Sequence, residues 1–336
     1  MIALDEESVH TYHLFYLYID QYVPDSTGVK LGHARSTDFN TWEDLPYVLH
    51  VLPGTWDSTA IWAPSIVQQG NTYYMFYTGV AGYGQRIGVA TSRDLYTWTR
   101  NPSGPVVTPQ DAPWTAGAAD FRDPFVMPDP DPGRQNHWLM YYATRRQSDG
   151  VMVPGLAKTT YENDLTQWDD AGALFSDSLD YRFRTSTVES PHLFEHNGTW
   201  YLVYTTGNNY QQLSYAVAAD SPTSTVKAGW VDNDYVVNTD CVQFSGDAYA
   251  SEYLADTLAG GTGKELFCYV GTREIDIRPI HWQLGDCFSF DFIPPAAVTD
   301  LATGLDEGSV TLHWTAPGDD STAAGTSACR TRLAYS

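Results

Sequence analysis

The chain has 336 residues, 43% hydrophobic and 18% charged, which is enough apolar material for a sizeable core and argues against wholesale disorder. Its formal net charge is -23, with lysine only at Lys30, Lys158, Lys227 and Lys264. Such a surface repels phosphate backbones and anionic headgroups, so neither nucleic acid nor a membrane is an expected partner.

Cys241, Cys268, Cys287 and Cys329 include no C-x-x-C pair, so no zinc site is expected. One disulfide among the first three stays open. No metal and no cofactor is implied. No apolar run reaches the length of a membrane span, and no signal peptide is visible. The charge fits an extracellular or periplasmic protein, or one from a salty habitat.

In chain order, an aromatic strand appears first at Tyr12-His13-Leu14-Phe15-Tyr16. It returns at Tyr73 to Tyr77, Trp138 to Tyr142, Trp200 to Tyr204 and, more weakly, Glu265 to Tyr269, roughly every 60–65 residues. A further strand follows the first two copies with identical spacing. It reads Gly32, Ala34, Ser36, Asp38, Thr41, Trp42 and then Gly88, Ala90, Ser92, Asp94, Thr97, Trp98. The third copy is reduced to Gly155-Leu156-Ala157 and Asp164-Leu165-Thr166-Gln167-Trp168, the fourth to Tyr215-Ala216 and Trp230. The small residues allow close strand packing, and each Ser/Asp pair sets a turn by bonding its own backbone.

Units of four short strands repeated radially are propeller blades. The expected fold is therefore all-β: a five-bladed β-propeller over residues 1–292, without long helices. Counting back from Tyr16 by the distance that separates Tyr204 from Glu189 reaches residue 1. The first blade is thus expected to be incomplete, lacking its innermost strand, with the chain beginning inside the domain. Residues 293–336 break the pattern at Ile293-Pro294-Pro295. The segments Ala297–Leu301 and Ser309–Asp320, read as two strands with Trp314 in the second, resemble the opening of a fibronectin type III β-sandwich, of which about half is present.

The chemistry concentrates at inner-strand starts. Phe121-Arg122-Asp123-Pro124 opens the third blade and Val188-Glu189-Ser190-Pro191 the fourth, followed by the hairpin signal Asn197-Gly198. Two carboxylates facing one channel suit glycosidic bond cleavage, where one acid is held protonated and another stays ionised. Trp62, in Trp62-Ala63-Pro64 of the second blade, is a candidate ring for the pocket wall, and Arg122 either orients a sugar hydroxyl or pairs with Asp123. Glu252 is read as surface or structural, and His281-Trp282 as packing.

On these motifs residues 10 to 290 resemble the catalytic propeller of glycoside hydrolase family 32, the invertases and fructanases, and the related family 43. The resemblance rests on Arg122-Asp123-Pro124, on Glu189-Ser190-Pro191 with Ser where the family has Cys, on Tyr12 to Tyr16, and on Gly32-His33-Ala34 through Trp42. Trp62-Ala63-Pro64 is closer to family 43. The resemblance implies that Glu189 is the general acid/base and Asp123 the transition-state stabiliser. It also implies a third Asp on the innermost strand of the first blade. That place falls at Met1, and Asp5 is the nearest carboxylate, without a following Pro.

The implied function is hydrolysis of fructosides such as sucrose or short fructans, with a carbohydrate substrate as the partner. The chain as written is expected to turn over poorly until upstream residues restore the third acid. Alternatives are a family 43-like arabinosidase or xylosidase, and a carbohydrate-binding propeller that has lost an acid. A sialidase is weaker: Ser36 and Asp38 approach its Asp-box, but Trp42 falls one residue early and no Gly follows. Sugar, linkage, stereochemical course and exo or endo action stay open. So does oligomeric state, with a monomer as the default.

Overall fold

The computed structural model describes residues 2–6, 9–19, 27–174, 187–208, 211–219, 221–223, 249–255, 265–270, 275–282, 288–290, 302–306 and 309–313. Apart from one 3₁₀ turn at Pro132–Arg134, every regular element among them is a strand. The first sheet comprises β1 (Ile2–Glu6), β2 (Val9–Ile19), β3 (Thr27–Ser36) and β4 (Glu43–His50). The second holds β5 (Ala60–Gln69), β6 (Thr72–Ala81), β7 (Gly84–Ser92) and β8 (Thr99–Arg100). The third holds β9 (Phe121–Pro128), β10 (Trp138–Arg145), β11 (Met152–Thr159) and β12 (Trp168–Ala173). β13 (Thr187–His196), β14 (Thr199–Asn208) and β15 (Gln211–Ala219) form the fourth. β16 (Tyr249–Ala255), β17 (Glu265–Val270), β18 (Ile275–Trp282) and β19 (Phe288–Phe290) form the fifth.

Each sheet is an antiparallel meander whose strands pair in chain order. The first strands of consecutive sheets pack together, β5 on β9, β9 on β13 and β13 on β16. This is a β-propeller. Among the described residues no helix is long and apolar enough to cross a membrane.

The apolar cores lie between sheets. Phe15, Leu31, Ile61, Met75 and Tyr77 fill the space between the first and second. Phe76, Ile87, Phe121, Met140 and Trp168 fill that between the second and third. Leu139, Tyr141, Leu193, Leu202 and Tyr204 fill the next. Middle strands are therefore buried on both faces, which is why Trp138–Ala143 reads as a continuous apolar run rather than an alternation.

The repeat signature has a direct cause. The closing tyrosines pair with the glycines of the next strand: Tyr16 with Gly32, Tyr77 with Gly88, Tyr142 with Gly155. In the first and third pairs the ring lies so close that an added Cβ would sit 2.4 Å from it, and at Gly88 the Trp56 ring takes that space at 2.3 Å. No other residue fits beneath the ring.

The Ser/Asp turn is as regular. Ser92 Oγ and Asp94 Oδ1 are 2.9 Å apart, Asp94 Oδ1 accepts from the Tyr96 and Thr97 N–H groups, and Trp98 Nε1 donates to the Leu95 carbonyl. Ser36, Asp38, Asn40, Thr41 and Trp42 repeat the same bonds. The Thr97 N–H foremost, against partial burial and together with the Tyr96 N–H, holds the Asp94 carboxyl below the usual range. The fourth sheet's hairpin turns at Asn197 and Gly198, both with φ > 0, as that dipeptide suggests.

One expectation needs correction. The first sheet does have its innermost strand, since β1 pairs with β2 from Ile2 opposite His13 to Glu6 opposite Val9. The backward count locates only the far end of that strand, and the half nearest the hairpin still falls within the chain. In the C-terminal segment, β20 (Ala302–Asp306) pairs with β21 (Ser309–His313). Ser309–His313 is a strand as expected, and Ala297–Leu301 lies outside the described residues. Cys241, Cys287 and Cys329 also lie outside them, and Cys268 is buried in β17.

Asp94→Ala removes two N–H acceptors from an exposed turn and should lower stability by about 1 kcal/mol, read as a lower urea midpoint with an unchanged m-value.

Candidate active site

Four inner strands carry the same irregularity. The ladder shifts between Trp62 and Ser65, between Arg122 and Phe125, between Glu189 and His192, and between Tyr249 and Glu252. At each shift one non-glycine residue has φ > 0: Ala63 at 48°, Asp123 at 58°, Ser190 at 50° and Ala250 at 53°. These are β-bulges, and a proline follows in three of the four. With no N–H, proline leaves no donor unpaired where the ladder breaks. Left-handed geometry costs each of these residues about 1–3 kcal/mol, an expense found where a site needs side chains re-aimed.

By register, Trp62, Arg122, Glu189 and Tyr249 share one level, opposite Thr78, Ala143, Thr205 and Val270. Asp123 is level with Ser190, not with Glu189. The two acid-proline motifs are therefore offset by one residue.

Hydrogen bonds stitch the bulges together across sheets. The Asp123 N–H donates to Thr78 Oγ1 at 2.9 Å and the Ala250 N–H to Thr205 Oγ1 at 2.8 Å. The Ser190 N–H donates to the Asp123 carboxylate at 3.0 Å. Further along the strands, the Val126 N–H donates to Ser65 Oγ and the Tyr253 N–H to His192 Nε2.

Arg122 is the hub. Its side chain is buried, with Nη2 2.7 Å from Glu189 Oε1, Nη1 2.8 Å from Asp120 Oδ1, and Nε 3.9 Å from Asp123 Oδ2. Gln85 Oε1 accepts from Nη1 and from the Phe121 N–H. Arg145 holds the other Asp120 oxygen at 2.7 Å. Burial works against the Arg122 charge, but Asp123 and Glu189 outweigh it and keep the guanidinium protonated. Because both carboxylates touch one planar guanidinium, they lie no more than about 9 Å apart, within the span glycosidases use.

Burial raises the Asp123 carboxyl to about 6. Arg122 opposes that rise, the Glu189 charge adds to it, and the Ser190 N–H opposes it. His192, packed against Phe125 with tilted rings whose centroids are 4.1 Å apart, is lowered to about 4, chiefly by burial, so it is neutral at pH 7. It acts as a hydrogen-bond acceptor for the fifth sheet. Glu252 sits half-buried beside it.

Of the sequence candidates, Glu189, Asp123 and Arg122 are brought together, and Trp62 shares their register level. Asp5 is not brought there. It stands opposite His10 beside the β1–β2 hairpin, whereas Trp62, Arg122 and Glu189 lie at the far end of their inner strands from the hairpin. Asp120, Gln85 and the threonines at 78 and 205 were missed. Asp120 stands two residues before Arg122, and the threonines follow the repeated aromatic strand directly, so both signals were present in the sequence.

The chain is a propeller with two carboxylates held on one arginine at its inner strands, a grouping whose chemistry suits glycosidic bond cleavage. Residues 8–278 match the N-terminal domain of the glycosyl hydrolases of family 32, and the chain belongs to that family. It is 32% identical over 196 residues to the levanase of Bacillus subtilis, covering 55% of this chain and 25% of the levanase. It is 25% identical over 187 residues to a probable arabinan endo-1,5-α-L-arabinosidase of Aspergillus niger, covering 54% of this chain and 52% of that protein. The chain thus spans about half the length of one curated relative and a quarter of the other. A thermostable family 43 glycoside hydrolase superposes with a TM-score of 0.63 at 14% identity, covering 86% of this chain and 90% of its own. The family 32 β-fructofuranosidase of Bombyx mori gives 0.61 at 19% identity, covering 87% and 63%.

The raised Asp123 carboxyl sets a sign for stability. An Asp with a folded-state value near 6 ionises less readily folded than unfolded, so its contribution becomes unfavourable as pH rises from about 4 through 6. Asp123→Asn should therefore raise the melting temperature relative to the parent more at pH 7.5 than at pH 4.5, measured by calorimetry at both.

Proposed function

We propose that this chain is the catalytic propeller of a glycosidase acting on β-fructosides, with Glu189 as general acid/base and Asp123 as the anion that stabilises oxocarbenium-like charge. The observation that carries the reading is the Arg122-bridged pair of Glu189 and Asp123 on adjacent bulged strands. Family 32 membership and the similarity to a levanase support the fructoside as substrate class. With its side chain 26% exposed, Glu189 is placed to give a proton to a leaving oxygen, whereas Asp123 is nearly covered. Arg122 then holds the two carboxylates in register.

The similarity to an arabinosidase, together with Trp62-Ala63-Pro64 at the equivalent bulge, favours arabinosides as the second reading. The net charge of -23 supports a site of action outside the cytoplasm. The division of the chain at residue 292, with a fibronectin type III-like segment beyond it, belongs to the same proposal.

The test is sugar release by the full-length protein from sucrose, short fructans, arabinan and xylosides, with binding followed by calorimetry. Glu189→Gln should lower kcat on fructosides by about 10²–10⁴-fold while sugar binding survives. Asp123 must be ionised to act, so kcat/KM should rise with pH through about 6. Turnover of arabinosides alone would move the assignment to the second reading. Binding without turnover, unaffected by Glu189→Gln, would overturn catalysis.

A further inference from the structure

The bulges are linked by a rule with one exception. Where the donor is Asp123 or Ala250, the acceptor is a threonine hydroxyl on the second strand of the preceding sheet, Thr78 or Thr205. Those threonines stand opposite Trp62 and Glu189 in the ladders. The corresponding residue of the third sheet, opposite Arg122, is Ala143, fully buried and without a hydroxyl. The neighbouring Thr144 cannot substitute. Successive side chains on a strand point to opposite faces, and the buried Thr144 Oγ1 makes no hydrogen bond among the described residues. The Ser190 N–H, the donor that a third threonine would satisfy, goes instead to Asp123 Oδ2 at 3.0 Å.

We propose that Ala143 is a positioning residue for Asp123: by carrying no hydroxyl where the second and fourth sheets carry threonine, it leaves the Ser190 N–H to the Asp123 carboxylate and fixes that carboxylate beside Glu189. The bond does two things. It holds one oxygen of Asp123 by a rigid backbone donor, and it supplies an N–H that favours the ionised form. The groups with charge that face Asp123 among the described residues are Arg122 on its own strand and Glu189 on β13. The Thr78 hydroxyl meets its backbone from β6. The exchange removes a polar side chain from a buried place and transfers its acceptor duty to a residue of the site. This inference rests on the reading of Asp123 as a site carboxylate.

The experiment compares Ala143→Thr with Ala143→Val. Valine has threonine's shape, so packing strain is common to both and only the hydroxyl differs. Protein labelled with ¹³C-aspartate is titrated by NMR without substrate, with the Asp123 signal assigned through Asp123→Asn. Ala143→Thr should take over the Ser190 N–H and move the Asp123 midpoint up by about half to one pH unit relative to Ala143→Val. The acidic limb of kcat/KM on a fructoside should move with it, and kcat should fall further in the threonine variant than in the valine variant, with KM little changed between the two. If threonine prevents folding, Ala143→Ser carries the hydroxyl on a smaller side chain and is set against the parent. Titration of the threonine and valine variants at the same midpoint would overturn the proposal. Absence of turnover in the parent protein on every substrate would defeat the glycosidase reading, while the carboxyl titration would still decide the role of Ala143.

Discussion

A β-strand cannot by itself present two successive side chains to the same channel, because its residues alternate between faces. The inner strands here escape that limit through a bulge at one level of four consecutive sheets, each with a residue in the left-handed region. The extra residue lets Arg122 meet the carboxylate of Glu189 while the next residue, Asp123, takes the backbone N–H of Ser190. Without the bulges the ladders would continue regularly and the acids would alternate between core and channel. The left-handed geometry is held by what surrounds it: proline on one side at three of the four bulges and, at Asp123, Ser190 and Ala250, an N–H tied to the preceding sheet on the other.

Within this frame the electrostatics centre on one cation. A buried guanidinium is costly unless carboxylates and hydrogen bonds surround it. Arg122 meets Asp120, Glu189 and, at longer range, Asp123, with Gln85 taking part of its donor capacity. Asp120, itself shared with Arg145, neutralises the face of Arg122 turned away from the site. The remaining two carboxylates then share what is left of the positive charge. Asp123, the more covered of the two, is raised by burial, whereas Glu189 retains a path to solvent. Two carboxylates in one cluster thus acquire different surroundings, which is the condition for giving them different duties.

Much of this was legible in the sequence. The spacing of Tyr16, Tyr77, Tyr142 and Tyr204 marked the repeat, and the structure shows why the first three travel with a downstream glycine. Asn197-Gly198 and the two Ser-x-Asp turns were legible because their bonds are local. The cluster of Glu189, Asp123 and Arg122 was legible because each lies at the start of a repeat. The offset between Asp123 and Glu189 was not, since a bulge adds a residue that leaves no mark in the spacing. Gln85 was not, because its partners Phe121 and Arg122 lie in another sheet. The innermost strand of the first sheet was misjudged because counting from one anchor fixes a strand's end and not its extent. Asp5, the nearest acid in sequence, is far from the cluster because distance along a strand grows by more than 3 Å per residue.

The placement of the cores between sheets, rather than within any one of them, bears on how the molecule comes apart. Tyr77 belongs to the cluster shared with the first sheet while Phe76, its neighbour, belongs to the cluster shared with the third. A single meander removed from its neighbours would show apolar side chains to water on both faces. Local opening therefore cannot stop at the boundary of one sheet: loosening the second uncovers Phe15 and Ile61 on one side and Phe121 and Met140 on the other. The smallest unit that loses its structure reversibly is then a group of adjacent sheets. A lesion in any middle strand is felt as a loss of stability shared by the adjacent sheets, not as a frayed edge.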